Sequence, residues 1–181
     1  MALTKLNARS ASALDATILT GALPAISGAS LTGIDSSLTP SFSAYLSSDQ
    51  SIAHDTYVKM IFDSEDNDTD SAYDTSNGRF TVPSGKGGRY AIGWMGSYDG
   101  ASADSVPYST FTWYKNGSQQ VSSHTADYSA TSRRTAAVCD VIVDTLSAGD
   151  YIEVYAFHYK GSAADLQGGE YKNHFWGYKI G

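Results

Sequence analysis

From residue 38 to the C-terminus, apolar and polar residues alternate with a period of two in a series of short runs. The run over residues 151–159 places tyrosine and phenylalanine on one face of a strand and mostly aliphatic residues on the other. Asn-Gly pairs at 77–78 and 116–117 separate such runs and are typical of tight turns. Many short strands, without a strong helical pattern after residue 40, predict an all-β fold, an antiparallel jelly-roll sandwich.

Residues 1–37 differ from the rest of the chain because they contain no Tyr, Phe or Trp and are rich in Ala, Ser, Thr, Gly and Leu. The spacing of apolar residues predicts a weak helix over residues 3–18, and Pro24 interrupts any later helix. Such a segment has too little apolar bulk for a core, so it either packs on another surface or forms a disordered tail. We therefore divide the chain into an N-terminal arm, residues 1–37, and a β domain, residues 38–181.

Composition excludes several classes of function for this 181-residue chain. Twelve Lys and Arg against nineteen Asp and Glu give a net charge of −7, which disfavours nucleic acid and anionic membrane surfaces as partners. No apolar run approaches the length of a membrane-spanning helix, and the N-terminus lacks the apolar stretch of a signal peptide. A single cysteine excludes an internal disulfide framework.

Four short motifs follow one another along the β domain in a recognisable order. They are Phe-Ser-Ala at 42–44, Tyr-Asp at 73–74 with Gly-Arg-Phe at 78–80 and Pro83, Gly-Arg-Tyr at 88–90, and Phe-Trp-Gly-Tyr at 175–178. Their order and spacing over residues 40–181 resemble those of C1q-like globular heads, although no collagen-like stalk precedes them. The resemblance implies a jelly roll of the C1q/TNF type that packs as a tight trimer about a three-fold axis.

A trimer also has a rationale in the residue pattern. A strand with apolar or aromatic residues on both faces cannot bury both of them in the core of one protomer, so its second face needs a neighbour. A closed ring covers that face in every copy at once. The residues predicted for the trimer interface are Tyr151, Tyr155, Phe157, Tyr159, Phe175 and Trp176.

The N-terminal arm has a resemblance of its own. Leu-Pro-Ala-Ile-Ser-Gly at 23–28 and Leu-Thr-Gly at 31–33 are similar to leader segments of bacteriophage fibre and structural proteins. In those proteins the N-terminus attaches to the particle and the C-terminal module faces outward. The apolar residues predicted to anchor this chain to a particle are Leu6, Leu14, Ile18, Leu23, Ile26, Leu31 and Ile34.

The acidic segment over residues 63–70 is the sharpest chemical feature. Oxygen ligands at alternate positions suit calcium, which would be held by Asp66, Asp68 and Asp70. The EF-hand pattern fails because no glycine stands at the required position. The simpler interpretation, which we favour, is a solvated acidic loop between strands, with no bound cofactor.

The remaining candidate residues predict no catalytic site. The four histidines are scattered without a zinc-binding spacing, and no Gly-x-Ser-x-Gly motif is present. Cys139 alternates with Ala137 and Val141 in an apolar run, which predicts a small core residue rather than a nucleophile.

These patterns lead to one functional hypothesis and two alternatives. The first is a bacteriophage virion protein, in which a homotrimeric C1q-like head stabilises the shell or meets a glycan or protein of the host surface. The arm would dock on other capsid or tail proteins, and the sequence leaves open which of the two. The second is a secreted C1q-like lectin or adaptor, and the third is a jelly-roll enzyme such as a depolymerase, for which no catalytic arrangement is evident.

Overall fold

The computed structural model of the chain describes residues 38–98, 108–126 and 137–181. Every regular element in these ranges is a β-strand, and the described residues contain no helix. The strands are β1 (Ser41–Tyr45), β2 (Gln50–Ile52), β3 (Val58–Lys59), β4 (Ser64–Asp68), β5 (Tyr73–Asp74), β6 (Arg79–Thr81), β7 (Gly88–Ser97), β8 (Tyr108–Lys115), β9 (Ser118–Ala126), β10 (Ala137–Leu146), β11 (Tyr151–His158), β12 (Ala164–Leu166) and β13 (His174–Lys179).

The strands form two main sheets, and all of their pairings are antiparallel. A five-stranded sheet has the order β10-β7-β13-β1-β4. A six-stranded sheet has the order β5-β6-β11-β8-β9, and β3 also pairs with β11. A small third sheet consists of β2 and β12. The predicted all-β, antiparallel jelly roll is therefore confirmed.

The core lies between the two main sheets and is built around a group of aromatic rings. Phe42 of the five-stranded sheet stacks on Phe80 of the other sheet at 4.6 Å and meets Phe175 edge-on at 4.9 Å. Both partner rings are fully buried. Truncation of such a phenylalanine to alanine costs about 3–5 kcal/mol in typical cores, so this cluster holds the sheets together.

Phe175 does not belong to a trimer interface, so its assignment there from the sequence was wrong. The alternation along β13 turns Phe175 into the core and Trp176 to the opposite face of the sheet. A side chain with no exposed surface in the protomer cannot contact a second subunit.

Strand β10 faces the opposite way from the sequence-based expectation. Cys139 is exposed rather than buried, and Val141 and Val143 are 48% and 54% exposed. Val138 and Ile142, on the other face of the strand, pack against the core. The alternation itself is present, but the residues that it predicted for the core, such as Cys139 and Val141, face out of the sandwich.

An ion pair between the sheets explains how polar residues of β10 can face inward. Lys115 of β8 donates to the Asp144 carboxylate at 2.9 Å and to the Thr145 carbonyl at 3.0 Å. β10 is the last strand of its sheet, so Asp144 lies at a margin of the sandwich where water reaches it. A partly solvated aspartate with a cationic partner is tolerated there, whereas it would be costly at the centre of the core.

A buried histidine makes one of the contacts that attach the β2–β12 sheet to the sandwich. His158, at the end of β11, has no exposed surface, and its Nε2–H donates to the Ile52 carbonyl of β2 at 2.9 Å. Its Nδ1 and the hydroxyl of the neighbouring Tyr98 are buried without hydrogen-bond partners. Burial, with a smaller contribution from the charges of His54 and Lys160, lowers the pKa of His158 below its ordinary value.

This arrangement predicts that the protein loses stability as the pH falls. Because folding lowers the pKa of His158, the unfolded chain binds a proton more tightly than the folded one. Stability should therefore be complete above about pH 6.5, decline below it and level off beneath the folded-state pKa, by about 1.4 kcal/mol per unit of pKa difference. Urea unfolding between pH 5 and 8 measures this decline.

His158→Gln keeps a donor for the Ile52 carbonyl but does not titrate, so it should flatten the pH dependence. His174→Gln, which changes a partly exposed histidine of β13, is the control and should leave the dependence in place. An unchanged pH profile in His158→Gln would contradict the assignment.

Candidate functional site

The outer face of the five-stranded sheet carries a continuous apolar surface. Val141 of β10, Gly93 of β7 and Trp176 of β13 lie opposite one another in one cross-strand row. Val143, Ala91 and Tyr178 form the neighbouring row, two residues along each strand. We call the surface formed by these two rows, together with Cys139 and Met95 in the row beyond, the apolar face.

The apolar face exposes an unusual amount of hydrophobic side chain. Val141, Val143 and Tyr178 are 48%, 54% and 44% exposed, and Val143 and Tyr178 flank Ala91 in one cross-strand row. Isolated exposed valines are common on soluble proteins, but a contiguous group of this kind indicates a surface that another molecule covers.

A glycine lets Trp176 lie close against the apolar face. A Cβ atom on Gly93 would lie 2.1 Å from Cζ2 of Trp176, so the indole rests directly on the β7 backbone. The Trp176 ring is also nearly parallel to that of Tyr178, with 6.2 Å between centroids. Two large rings therefore lie along the sheet rather than project from it, which suits close contact with another flat surface.

Polar residues border the apolar face on the β1–β4 side. Ser43, which follows Trp176 in its cross-strand row, donates from Oγ to the Asp66 carboxylate at 3.3 Å. Beyond it, the Asn67 amide donates to the Ser41 carbonyl at 3.2 Å. An apolar centre with a hydrogen-bonded polar border is the usual anatomy of a protein–protein interface.

Four of the predicted interface residues lie on or next to β11, in the other sheet, and the rings of three of them pack against neighbours in the same protomer. Tyr114 lies 4.1 Å from Tyr155 between ring centroids, and Tyr57 lies 4.8 Å from Phe157. The guanidinium of Arg79 sits 4.0 Å above the ring of Tyr151. The fourth, Tyr159, remains 57% exposed. The structure thus separates them from Trp176, which lies on the apolar face.

A buried carboxylate lies beneath this aromatic layer. The Glu153 side chain is 3% exposed, and its Oε1 accepts hydrogen bonds from Arg79 Nε at 2.9 Å and from Lys59 Nζ at 3.1 Å. Removal of either cation would leave part of the buried charge uncompensated. The hydrogen bond to Glu153 is the main reason that the pKa of Arg79 lies above its ordinary value.

The acidic segment is a strand rather than the loop that the sequence suggested. β4 forms the edge of the five-stranded sheet and pairs with β1. The Asp68 carboxylate accepts hydrogen bonds from the backbone of Ala72 and of Tyr73, both at 3.0 Å, and so shapes the turn into β5. Acidic side chains along an edge strand prevent it from pairing with another sheet.

The structure does not bring the three predicted calcium ligands together. Asp66 accepts from Ser43, Asp68 binds the backbone of the following turn, and Asp70 accepts from Thr69. Among the described residues, no group of three or more His, Cys, Asp or Glu side chains is placed to hold a metal ion.

A cavity of about 350 Å³ lies beside this segment, lined by Leu46, Ser48, Asp49, Gln50, Ser51, Ile61 and Asp63. Its two carboxylates are already bound. Asp49 accepts from the Gly168 backbone at 2.7 Å, and Asp63 accepts from the backbone and hydroxyl of Ser47 at 2.7 and 2.6 Å. Burial raises the pKa of Asp63, but the Ser47 hydrogen bonds outweigh it and leave a net lowering. These hydrogen bonds order the loops around the cavity, which therefore presents no free acid or base.

The predicted arm, its short helix and its anchor residues from Leu6 to Ile34 lie outside the described residues. Within the ranges that the structure describes, no helix has the length and apolarity needed to span a membrane.

The main feature that sequence reasoning missed is the outward orientation of Val141, Val143 and Tyr178. The signal was present in β10, where Asp140 and Asp144 alternate with Val141 and Val143. The usual interpretation of such an alternation is that the aspartates face solvent and the alternate apolar residues face the core. The facing partner Lys115, which reverses that orientation, lies in a different sheet and cannot be identified from the sequence of β10.

Comparisons with known proteins establish the fold. The chain is similar to the globular domain of zebrafish complement 1qA, with 19% identity and a TM-score of 0.56 over 79% of this chain and 98% of that one. It is similar to the Eiger TNF of S. frugiperda, with 13% identity and a TM-score of 0.57 over 79% and 94%. It is also similar to the vertex protein P5 of PRD1, with 13% identity and a TM-score of 0.58 over 80% and 99%. No protein-family model and no curated protein matches the sequence.

The contact between Gly93 and Trp176 generates a prediction. Gly93→Ala should push the indole off the β7 backbone, which exposes the ring and costs about 1–3 kcal/mol through overpacking. Tryptophan fluorescence should shift to the red, and the shift should vanish in a Trp176→Phe background. Gly87→Ala, where the new Cβ would make ordinary contacts no closer than 3.4 Å, is the matched control. Identical spectra for Gly93→Ala and the unmodified protein would refute the contact.

Proposed function

We propose that this C1q/TNF-like jelly roll is the head of a homotrimeric, non-enzymatic virion protein, an appendage of a bacteriophage particle. Residues 38–181 form the head, and residues 1–37 attach it to other capsid or tail proteins. The apolar face joins the three heads around a common axis.

The observation that carries the proposal is the exposure of the apolar face. Val141 and Trp176 lie in one cross-strand row of the outer face, and the exposed Val143 and Tyr178 lie in the next. In an isolated protomer this surface would remain in contact with water at a cost of about 25 cal/mol for each Å². A closed three-fold assembly removes the surface from water in every copy, and it does so with one kind of interface.

Two similarities support the proposal that the protein is part of a bacteriophage particle. The vertex protein P5 of PRD1 shares the fold over 99% of its chain. The Leu-Pro-Ala-Ile-Ser-Gly and Leu-Thr-Gly segments of the arm resemble leader segments of phage structural proteins. A head of this kind either stabilises the shell or binds a host glycan or protein, and three linked copies make weak contacts effective.

The trimer generates a prediction. Tyr178→Asp places a carboxylate in the apolar face, and burial of an unpaired charge should weaken association at least about a hundredfold. Light scattering should give three times the 19.3 kDa of one chain for the unmodified protein and one chain mass for the variant. Tyr171→Asp makes the same change at a site that is 81% exposed and outside the apolar face, so it should remain trimeric. A monomeric unmodified protein would refute the proposed assembly.

Attachment through the arm is tested separately. Deletion of residues 1–37 should leave the head trimeric but remove the protein from purified particles, as measured by immunoblot of gradient-purified phage. A full-length protein that is found in phage-free culture supernatant and never in particles would instead favour the secreted C1q-like adaptor. The two experiments fail independently, because one measures assembly of the head and the other its location.

A further inference from the structure

Three side chains with complementary chemistry meet beneath the aromatic layer of the six-stranded sheet. Lys59 Nζ lies 2.5 Å from Asn77 Oδ1 and 3.1 Å from Glu153 Oε1. Because a C=O bond is about 1.23 Å long, Nζ lies no more than about 3.7 Å from the carboxamide carbon. That separation is close to the distance from which a bimolecular attack proceeds.

The backbone brings Asn77 to this position through the glycine that follows it. Gly78 has a φ of +61°, and a Cβ atom there would lie 2.4 Å from the Met60 carbonyl oxygen. Only glycine allows the backbone of the β5–β6 turn to lie this close to Met60, the residue that follows Lys59. Glu153 comes from a third segment, since β11 pairs with both β3 and β6.

These groups are held in fixed positions around a carboxylate that is almost fully buried. Glu153 is 3% exposed, and Lys59 is 21% exposed. The Tyr155 hydroxyl donates to Glu153 Oε2 at 3.4 Å, and Tyr114 packs on the Tyr155 ring. Arg79 holds Glu153 Oε1 through two nitrogens, at 2.9 and 2.8 Å, so the carboxylate cannot turn away. Exclusion of water favours transfer between neighbouring groups over hydrolysis.

We propose that Lys59 and Asn77 form an intramolecular isopeptide bond, with Glu153 as the catalytic acid and base. Glu153 takes a proton from the Lys59 ammonium group, and the free amine attacks Cγ of Asn77. A new Nζ–Cγ bond forms as the Cγ–Nδ2 bond breaks, and the protons pass through Glu153 to the departing nitrogen. The products are a secondary amide and ammonium, so atoms and charge balance without an oxidant or a cofactor.

The charges of the cluster favour the product. Before the reaction, one buried carboxylate faces two cations, Lys59 and Arg79. Amide formation removes the lysine charge and leaves Glu153 and Arg79 as a balanced pair, so no buried charge is left without a partner. Arg79 is a positioning residue, because it orients Glu153 without touching the atoms that react.

The bond would tie β3 to the β5–β6 turn and close a loop within the six-stranded sheet. A cross-link over a loop of this length removes conformational freedom from the unfolded chain, as a disulfide does. For a domain of this size, the expected gain in melting temperature is about 6–12 °C. The inference does not depend on the proposed function, because it concerns residues of one protomer.

Intact mass and peptide mapping of the full-length purified protein test the proposal. The protein should be lighter than its sequence by one ammonia, and a tryptic digest should contain a branched peptide that joins residues 59 and 77. Glu153→Gln and Lys59→Arg should have the full sequence mass, lack the branched peptide and melt at the lower temperature. Lys86→Arg is the matched control, since Lys86 donates to the Thr39 hydroxyl at 3.1 Å and lies 4.0 Å from Asp70 Oδ1, away from the Glu153 cluster; it should retain the cross-link.

Two results would overturn the proposal. One is a protein of full sequence mass after prolonged incubation at neutral pH. The other is an ammonia loss that persists in Lys59→Arg, because attack on Asn77 by the Gly78 backbone nitrogen also releases ammonia but gives a cyclic imide without a branched peptide. Peptide mapping of the unmodified protein separates these two products even if a variant fails to fold, because only the cross-link gives a branched peptide.

Discussion

Each strand of a sandwich has two faces, and packing of the two sheets covers only one of them. Here the inner faces meet around Phe42, Phe80 and Phe175. The outer faces of both sheets are therefore not covered by the packing of one sheet on the other. The protein treats them differently. One is covered by its own side chains, and the other stays apolar and exposed. Its proposed assembly follows from that difference.

The six-stranded sheet covers its outer face by combining aromatic rings with ions. Tyr155 and Tyr151 form a layer over Glu153, and Arg79 both stacks on a ring and binds the carboxylate. Because the rings exclude water, the charges beneath them interact strongly, and because the charges fix the long side chains, the rings are held in place. The same enclosure brings an amine, a carboxamide and a carboxylate within reach of one another.

In the proposed trimer, the five-stranded sheet associates through its outer face and not through its free edge. Its outer face is apolar from β10 to β13, whereas β4 presents acidic side chains along the free edge. An apolar face favours contact with another copy, and a charged edge opposes the open-ended pairing of strands that leads to aggregation. In this arrangement the acidic residues, which by type resemble calcium ligands, act in turn formation and edge protection.

The sequence alone determined the fold class, because alternation with a period of two and Asn-Gly turns are local properties that a strand retains in any context. Motif order also pointed to a C1q/TNF-like jelly roll, which the structural similarities support. The tertiary structure determined which set of alternate residues in a strand faces the core. Asp144 faces inward because Lys115 approaches it from the other sheet. Phe175 is buried because Phe42, Phe62 and Tyr73 surround it. The meeting of Lys59, Asn77 and Glu153 likewise joins segments up to 94 residues apart, and no local pattern encodes a contact that depends on the pairing of distant strands.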